Sequence, residues 1–125
     1  MDLRSWMRAA AAWAVVGSGA ALGAAPAKPD VAAGKAIYGA QCASCHGPAG
    51  KGDGEDAAYF TTKATDLTDK AALSRRSDDF LAAVIGGGGP AKGLSKDMPA
   101  AKLSPAEIQS VVAYVRGLSG TKAAK

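Results

Sequence analysis

Cys42-Ala43-Ser44-Cys45-His46 is the stretch that decides how the rest of this chain is interpreted. A C-x-x-C-H run is typical of c-type haem attachment, in which the two thiols form thioethers with the porphyrin and the imidazole reaches the iron. A thiol redox pair and half of a zinc site are the alternatives for a C-x-x-C run. The sequence contains no other cysteine or histidine, which opposes a zinc site. It also shows no βαβ pattern, which opposes a thioredoxin-like redox pair.

The N-terminus has the layout of an export signal. Arg4 and Arg8 precede an uncharged, alanine-rich run of about 17 residues, which ends in a small-x-small cleavage site at Ala25-Pro26-Ala27. We therefore predict a signal peptide over residues 1–27 and one mature domain over residues 28–125, located in the periplasm. An uncleaved membrane anchor is the alternative, although the run lies at the short edge for a spanning helix.

Size and charge limit what the mature domain can do. The formal net charge of the full sequence is +4, from 15 basic and 11 acidic residues, and residues 28–125 keep +3 of it. No basic stripe accompanies this charge, so we expect no nucleic-acid partner. A chain of this size buries a limited core and often depends on a disulfide, metal or cofactor. A haem would complete that core, and we predict that the apoprotein is poorly folded.

The segment before the motif is predicted to be a helix. Asp30 is its N-cap, the helix covers residues 31–44, and Val31, Gly34 and Tyr38 recur at the spacing of one inward face. Glycine inside a helix costs about 1 kcal/mol relative to alanine. Gly34 therefore indicates that another helix approaches closely at this point.

Three further helices are predicted after the glycine-rich loop that follows the motif. Thr65 or Thr68 caps a short one that ends at Leu73, and Ser77 caps a middle one. The last begins at Ser104-Pro105-Ala106-Glu107, a capping box with proline at the first helical position. Between the short and the middle helix, Arg75-Arg76 are expected on a solvated surface, with pairing to a haem propionate as the alternative.

In this order, the helices, the motif and a Met98-Pro99 loop resemble the class I cytochrome c family, over nearly all of the sequence after residue 27. The resemblance implies an all-α fold, a small cytochrome c domain of three to five helices wrapped around one covalently bound haem c. It also implies that Gly34 and Tyr38 pack against the last helix at Val111 and Tyr114. The matching residues are Gly34 and Tyr38, Cys42 to Gly47, Lys51 to Gly54, Asp66 to Asp69, Met98 to Ala100, and Leu103 to Ile108 leading to Val111 and Tyr114.

The same resemblance assigns the site residues. It makes Cys42 and Cys45 the thioether links, His46 the proximal iron ligand and Met98 the distal one, and it implies a loop carbonyl that accepts from the non-ligating nitrogen of His46. Met98 has independent support, because after residue 27 it is the only sulfur or imidazole left for the sixth position. A filler in the core is its alternative role. With both axial positions filled, the expected chemistry is outer-sphere transfer of one electron.

We therefore expect a periplasmic electron carrier, not an enzyme, that shuttles electrons between respiratory or dehydrogenase partners as a monomer, without membrane insertion once the leader is cleaved. Lys92, Lys96 and Lys102 bracket Met98 and are candidates for steering an acidic docking surface, with ordinary solubilising lysines as the alternative. Two other functions stay open. One is a cytochrome c subunit of an exported oxidoreductase complex, and the other is a haem ligand sensor or peroxidase with a labile sixth position.

Overall fold

The structure, a computed structural model, describes residues 27–122. The leader predicted over residues 1–27 lies outside the described residues, apart from Ala27, and stays a prediction. Residues 27–122 form five α-helices and two short 3-10 helices, with no strand in that range. The predicted all-α fold class is therefore confirmed. Within the same range, no helix is long and apolar enough to cross a membrane.

Long loops separate the helices around the motif from those at the C-terminal end. One loop lies between the second and third α-helices, and another leads into the last. Both contribute residues to the cavities described below. The α-helices are α1 Val31–Gln41, α2 Ala43–His46, α3 Lys70–Ser74, α4 Asp78–Gly87 and α5 Pro105–Ser119, and the 3-10 helices are Ala57–Tyr59 and Gly89–Lys92.

Helices α1 and α5 form the most extensive helix pair of the fold. At their closest point Gly34 lies against the α5 backbone, where an added Cβ would overlap the carbonyl of Ser110 and approach Val111. One turn later Tyr38 is 2% exposed, and its ring centroid lies 5.1 Å from that of Tyr114. The predicted contact of Gly34 and Tyr38 with the last helix is thus confirmed.

The hydrophobic core lies beside this helix pair and ends at a cavity. Its main cluster of buried side chains comprises Tyr38, Leu73, Val111 and Val115, and all four also line the larger cavity described below. This cluster is therefore one wall of that cavity. This arrangement agrees with the expectation that a cofactor completes the core.

The predicted caps of three helices are confirmed. The Asp30 carboxylate accepts from backbone N–H groups at the start of α1, and the Ser77 hydroxyl does so at the start of α4. At α5, Ser104 N–H donates to Glu107 Oε2 at 2.7 Å, and Glu107 N–H donates back to Ser104 Oγ at 3.3 Å. These caps satisfy donors that the first helical turn leaves without partners.

Two predicted boundaries are wrong. The first helix ends at Gln41, and Cys42, with φ of −117°, separates it from α2. The third helix is capped by Asp69, whose carboxylate accepts from Ala72 N–H at 3.0 Å. Thr68 lies one residue before this cap, and its hydroxyl donates to Asp66 Oδ1 at 2.6 Å.

One member of the predicted inward face of α1 is not inward. Val31 is 52% exposed, whereas Gly34 and Tyr38 on the same predicted face are buried. Two helices that cross at an angle separate on either side of their closest contact. The spacing of apolar residues identifies the inward face of a helix, but not the length over which its partner covers it.

Candidate haem-binding site

Two cavities of about 430 and 330 Å³ share part of their walls. Cys42, His46 and Met98 belong to the walls of both, and so do Ile85 and Leu94. We call the larger one the core-side cavity, because the buried core residues line it, and the smaller one the loop-side cavity, because residues of both long loops line it. Sequence reasoning connected the motif with the Met98 loop, and the structure brings them to the same pair of cavities.

His46 is held by a loop carbonyl. Its Nδ1 lies 3.1 Å from the carbonyl oxygen of Thr65. Because a carbonyl can only accept, Nδ1 carries the proton and Nε2 is the ring nitrogen with a free lone pair. Thr65 is thus the residue that supplies the carbonyl implied for His46.

Burial sets the protonation state of this imidazole. Desolvation lowers the pKa of His46, and the hydrogen bond to Thr65 opposes that shift in part. The neutral form is therefore favoured at neutral pH. A neutral imidazole is the form that ligates a metal.

The glycine-rich loop after the motif folds back onto it. Gly47, with φ of 83°, adopts a backbone conformation that favours glycine, and Gly52 N–H donates to the His46 carbonyl at 2.7 Å. A Cβ at Gly54 would overlap the carbonyl of Ser44. A side chain at Gly54 would push the loop away from α2, so this glycine permits the close packing of the loop against the helix that carries His46.

Tyr38 ties α1 to this loop. Its hydroxyl donates to the Gly47 carbonyl at 2.6 Å. Desolvation by burial, with smaller contributions from Cys42, Tyr114 and Asp53, raises the pKa of Tyr38 to about 12. The phenol stays protonated through the physiological range, and it remains a donor to the residue next to His46.

Met98 lies on a loop that is anchored to the end of α4. Gly89 N–H donates to the Met98 carbonyl at 2.9 Å, and Met98 N–H donates to the Ser95 carbonyl at 3.3 Å. On the other side of Met98, Ala101 N–H donates to the Ile85 carbonyl at 2.8 Å. The backbone that carries the thioether is therefore fixed at both ends.

The two cysteines are unpaired and partly buried. Both line the loop-side cavity, and Cys42 also lines the core-side cavity. Burial, and secondarily the neighbouring Cys45, raises the pKa of Cys42. The thiols are thus available for thioether bonds and have not been used in a disulfide.

Arg116 is a residue that sequence reasoning missed. It is 4% exposed, and its guanidinium donates to the carbonyls of Leu73 and Arg76 at 2.7 and 2.5 Å and to Asp78 Oδ1 at 2.8 Å. These acceptors lie at the two ends and the middle of a short connection, which we call the 73–78 turn. The signal for its burial in the sequence was an arginine inside the apolar run of α5.

The lysines that bracket Met98 are all exposed. Lys96 Nζ lies 3.5 Å from Asp97 Oδ1, and Lys92 Nζ lies 5.9 Å from the Phe80 ring centroid. Neither these two nor Lys102 belongs to the lining of either cavity. Their exposure agrees equally with partner steering and with solubility.

The residues around the cavities fit a covalently held haem. Two free thiols, a neutral imidazole and a thioether line connected walls, and the rest of the core-side lining is mostly apolar. A thioether-linked porphyrin needs that donor set, and its flat apolar ring needs walls of this kind.

Comparison with known proteins agrees with this chemistry. The family described as cytochrome c matches residues 31–119. Among solved structures, the chain is similar to the KustC0563 c-type cytochrome, with 28% sequence identity and a TM-score of 0.53, over 71% of this chain and 98% of that one. No curated protein matches the sequence. The chain therefore belongs to the cytochrome c family, as a class I monohaem member that binds haem c covalently and transfers electrons.

Proposed function

We propose that this cytochrome is a periplasmic carrier of single electrons, in which His46 and Met98 are the two axial ligands of the haem iron. One observation carries the proposal, namely that both residues line the same two cavities together with Cys42 of the attachment motif. When bound, haem c supplies one-electron exchange between ferric and ferrous iron.

Each site residue has its own task in this proposal. Cys42 and Cys45 hold the porphyrin by thioether bonds, so that it cannot dissociate. His46 offers Nε2, and the Thr65 carbonyl on Nδ1 fixes the ring and raises its basicity. Met98 offers a soft thioether, which favours ferrous iron and raises the reduction potential relative to many other axial pairs.

The anchored Met98 loop supports a carrier in preference to a ligand-binding protein. An exogenous ligand would have to displace Met98, and the hydrogen bonds of the loop to Gly89 and Ile85 resist that movement. The bound haem would then supply electron exchange with redox protein partners. Lys92, Lys96 and Lys102 would steer an acidic docking surface on such a partner, with an on-rate that falls as salt is added.

The test of axial ligation is the visible absorption spectrum of the mature holoprotein, oxidised and reduced, with and without CO. We expect low-spin bands, the weak far-red feature of methionine bound to ferric iron, and no response to CO. Met98→Leu keeps the side-chain volume but should lose the far-red feature and bind CO. Leu94→Ala is the matched control, because Leu94 also lines both cavities but carries no ligand atom. High-spin bands or ready CO binding by the unaltered protein would instead favour a sensor or peroxidase.

Export has a separate test. The predicted leader supports export, and N-terminal sequencing of the protein from a bacterial host that matures c-type cytochromes should find a chain that begins at Lys28. A haem-loaded chain in the membrane fraction that still begins at Met1 would contradict periplasmic release and support the anchor. Purification at fixed stoichiometry with a larger redox protein would support the role of a complex subunit.

A further inference from the structure

The two cavities differ in the charge of their linings. The charged residues of the core-side cavity are Arg75 and Arg76, and no carboxylate belongs to its lining. The loop-side cavity has Lys63 and Asp97, whose charges offset one another. An anionic group therefore finds a net positive environment on the core side alone.

Haem c carries anionic groups at one edge only. Its two propionate carboxylates lie at the edge of the porphyrin opposite the thioether positions. Cys42 lines both cavities, but Cys45 lines the loop-side cavity alone. The thioether edge of a porphyrin linked to both therefore lies toward the loop side, and the opposite edge lies toward the core side. Carboxylates that leave water need charged or hydrogen-bonding partners.

We propose that Arg75 and Arg76 hold the propionates of haem c, and that the buried Arg116 is the positioning residue that keeps them at the cavity. The inference rests on the proposed placement of haem c between His46 and Met98. It goes further by assigning the residues that hold the opposite edge of the cofactor and tune its reduction potential.

Arg76 is suited to this task by its surroundings. Its guanidinium carbon lies 4.3 Å from the Phe80 ring centroid, and Phe80 also lines the core-side cavity. Stacking on an aromatic ring leaves the edge of the guanidinium, which carries its N–H donors, available for a carboxylate. Arg75 uses Nε to donate to the Ala71 carbonyl at 3.1 Å, and its two terminal nitrogens remain as donors.

Arg116 acts on Arg75 and Arg76 through the backbone of the turn that carries them. It holds the 73–78 turn at the Leu73 carbonyl, the Arg76 carbonyl and the Asp78 carboxylate. Because it does not line either cavity, it acts through the turn and not on the cofactor. Loss of these bonds would free the turn and move both guanidinium groups.

The test of carboxylate binding compares Arg75→Gln and Arg76→Gln with Lys92→Gln in the holoprotein. All three substitutions remove one positive charge, and Lys92 lies near the same Phe80 ring but outside both cavities. A cation beside the haem favours the less positive ferrous state. We therefore expect each arginine variant to lower the midpoint potential. At the midpoint of the unaltered protein, the ratio of reduced to oxidised haem should fall roughly threefold to tenfold. Lys92→Gln should change it by less than about twofold.

A vibrational measurement separates carboxylate pairing from a general charge effect. Infrared difference spectra are recorded on holoprotein whose haem carboxyl carbons carry a heavy isotope, so that the propionate bands are identified. Arg76→Gln should shift these bands, and Lys92→Gln should leave them unchanged. Propionate bands and midpoint potentials that move no more in the arginine variants than in Lys92→Gln would overturn the assignment.

Arg116→Lys tests the positioning role, because it keeps the charge but loses the planar fork. A pure charge effect predicts no change in midpoint potential. Release of the turn predicts a lower midpoint potential, as expected for Arg76→Gln. The double variant with Arg116→Lys and Arg76→Gln should shift the midpoint potential little more than Arg76→Gln alone, since both substitutions act on the same contact. An unchanged potential, or fully additive shifts, would overturn the positioning role.

Asp78→Asn provides a second route if Arg116→Lys does not fold. Removal of a negative charge by itself raises the midpoint potential, whereas a loosened turn lowers it, so a fall supports the positioning role and a rise opposes it. Failure here is distinguishable from failure of the proposed axial ligation. The low-spin bands and the far-red methionine feature report His46 and Met98, and they should persist in every variant of this series.

Discussion

Helix α5 is attached to the rest of the molecule in two different ways. Toward α1 it offers a closely packed face, where the Gly34 backbone touches Ser110 and Tyr38 packs against Tyr114. Toward the 73–78 turn it offers a single buried cation, Arg116. The first attachment depends on shape and apolar area, and the second on hydrogen bonds from a buried guanidinium to two backbone carbonyls and a carboxylate.

The two attachments fail in different ways when they are altered. An apolar contact loses free energy in proportion to the area or volume that is changed. Stability changes little when a whole buried network of charged and polar groups is replaced by apolar ones. It falls strongly when one member is removed and its partners lose their hydrogen bonds. The comparison therefore predicts that a volume-conserving substitution is tolerated on the α1 side and harmful at Arg116.

The largest effect is expected for Arg116→Met. Methionine fills similar volume, but it removes the guanidinium that donates to the Leu73 and Arg76 carbonyls and to the Asp78 carboxylate. We expect the free energy of unfolding to fall by about 3 to 5 kcal/mol, measured by urea denaturation of the holoprotein followed by circular dichroism.

Lys70→Met is the matched control, because Lys70 lies in α3 just before the same turn, is exposed and lines neither cavity. Its loss should stay below about 1 kcal/mol. Equal losses in the two variants would mean that burial of Arg116 has no special consequence, and the contrast between the two attachments would disappear.

Gly34→Ala should have the next largest effect. The added methyl would overlap the Ser110 carbonyl, so α1 and α5 must separate, and overpacking of this kind costs about 1 to 3 kcal/mol. Gly39→Ala is the control, because an added Cβ at Gly39, in the same helix, meets nothing within 4 Å. That variant should be more stable than the original by about 0.5 to 1 kcal/mol, through helix propensity alone. If both variants gained stability, the close approach at Gly34 would be wrong.

The same contrast explains what could be predicted from the sequence. The α1–α5 contact depends on a glycine, an aromatic residue and a capped amphipathic helix, and each of these is visible in a short window of sequence. The contacts of Arg116 join residues that are 38 to 43 positions apart, and no local pattern marks their acceptors, two of which are backbone carbonyls. An arginine in the last turn of a helix is ordinarily explained by the helix dipole.

The residues of the candidate site also fall into those that the sequence identifies and those that it does not. The attachment motif and Met98 were identified by residue type and order, and their shared lining of two cavities agrees with that reasoning. The partner of His46 is the Thr65 backbone carbonyl, which any residue type could supply, so composition could not identify it. The cap of α3 was mistaken for a different reason, because the neighbouring Thr68 and Asp69 are both residue types that cap helices, and Asp69 is the one that does so.

Tyr38→Phe should have a smaller effect on stability than Arg116→Met and Gly34→Ala. It sharpens the comparison because it removes a hydrogen bond from a residue of the closely packed face. The ring and its contact with Tyr114 remain, but the Gly47 carbonyl loses the hydroxyl donor 2.6 Å away. We expect the free energy of unfolding at neutral pH to fall by about 1 to 2 kcal/mol, again by urea denaturation. A loss as large as that for Arg116→Met would show that this face also depends on a buried polar group.

The pH dependence of the same variant gives a second measurement. The pKa of Tyr38 is raised to about 12 from its ordinary value of 10.0, so the folded state retains a proton that the unfolded state loses in alkali. The stability that this phenol contributes is therefore fully present below about pH 10 and is lost as the pH rises toward 12. Tyr38→Phe should flatten the alkaline decline in stability, whereas Tyr59→Phe, at a residue that is 83% exposed, should leave it unchanged. An equal decline in both variants would contradict the assignment of the alkaline transition to Tyr38, and would leave the hydrogen bond to Gly47 to be judged by the neutral-pH measurement alone.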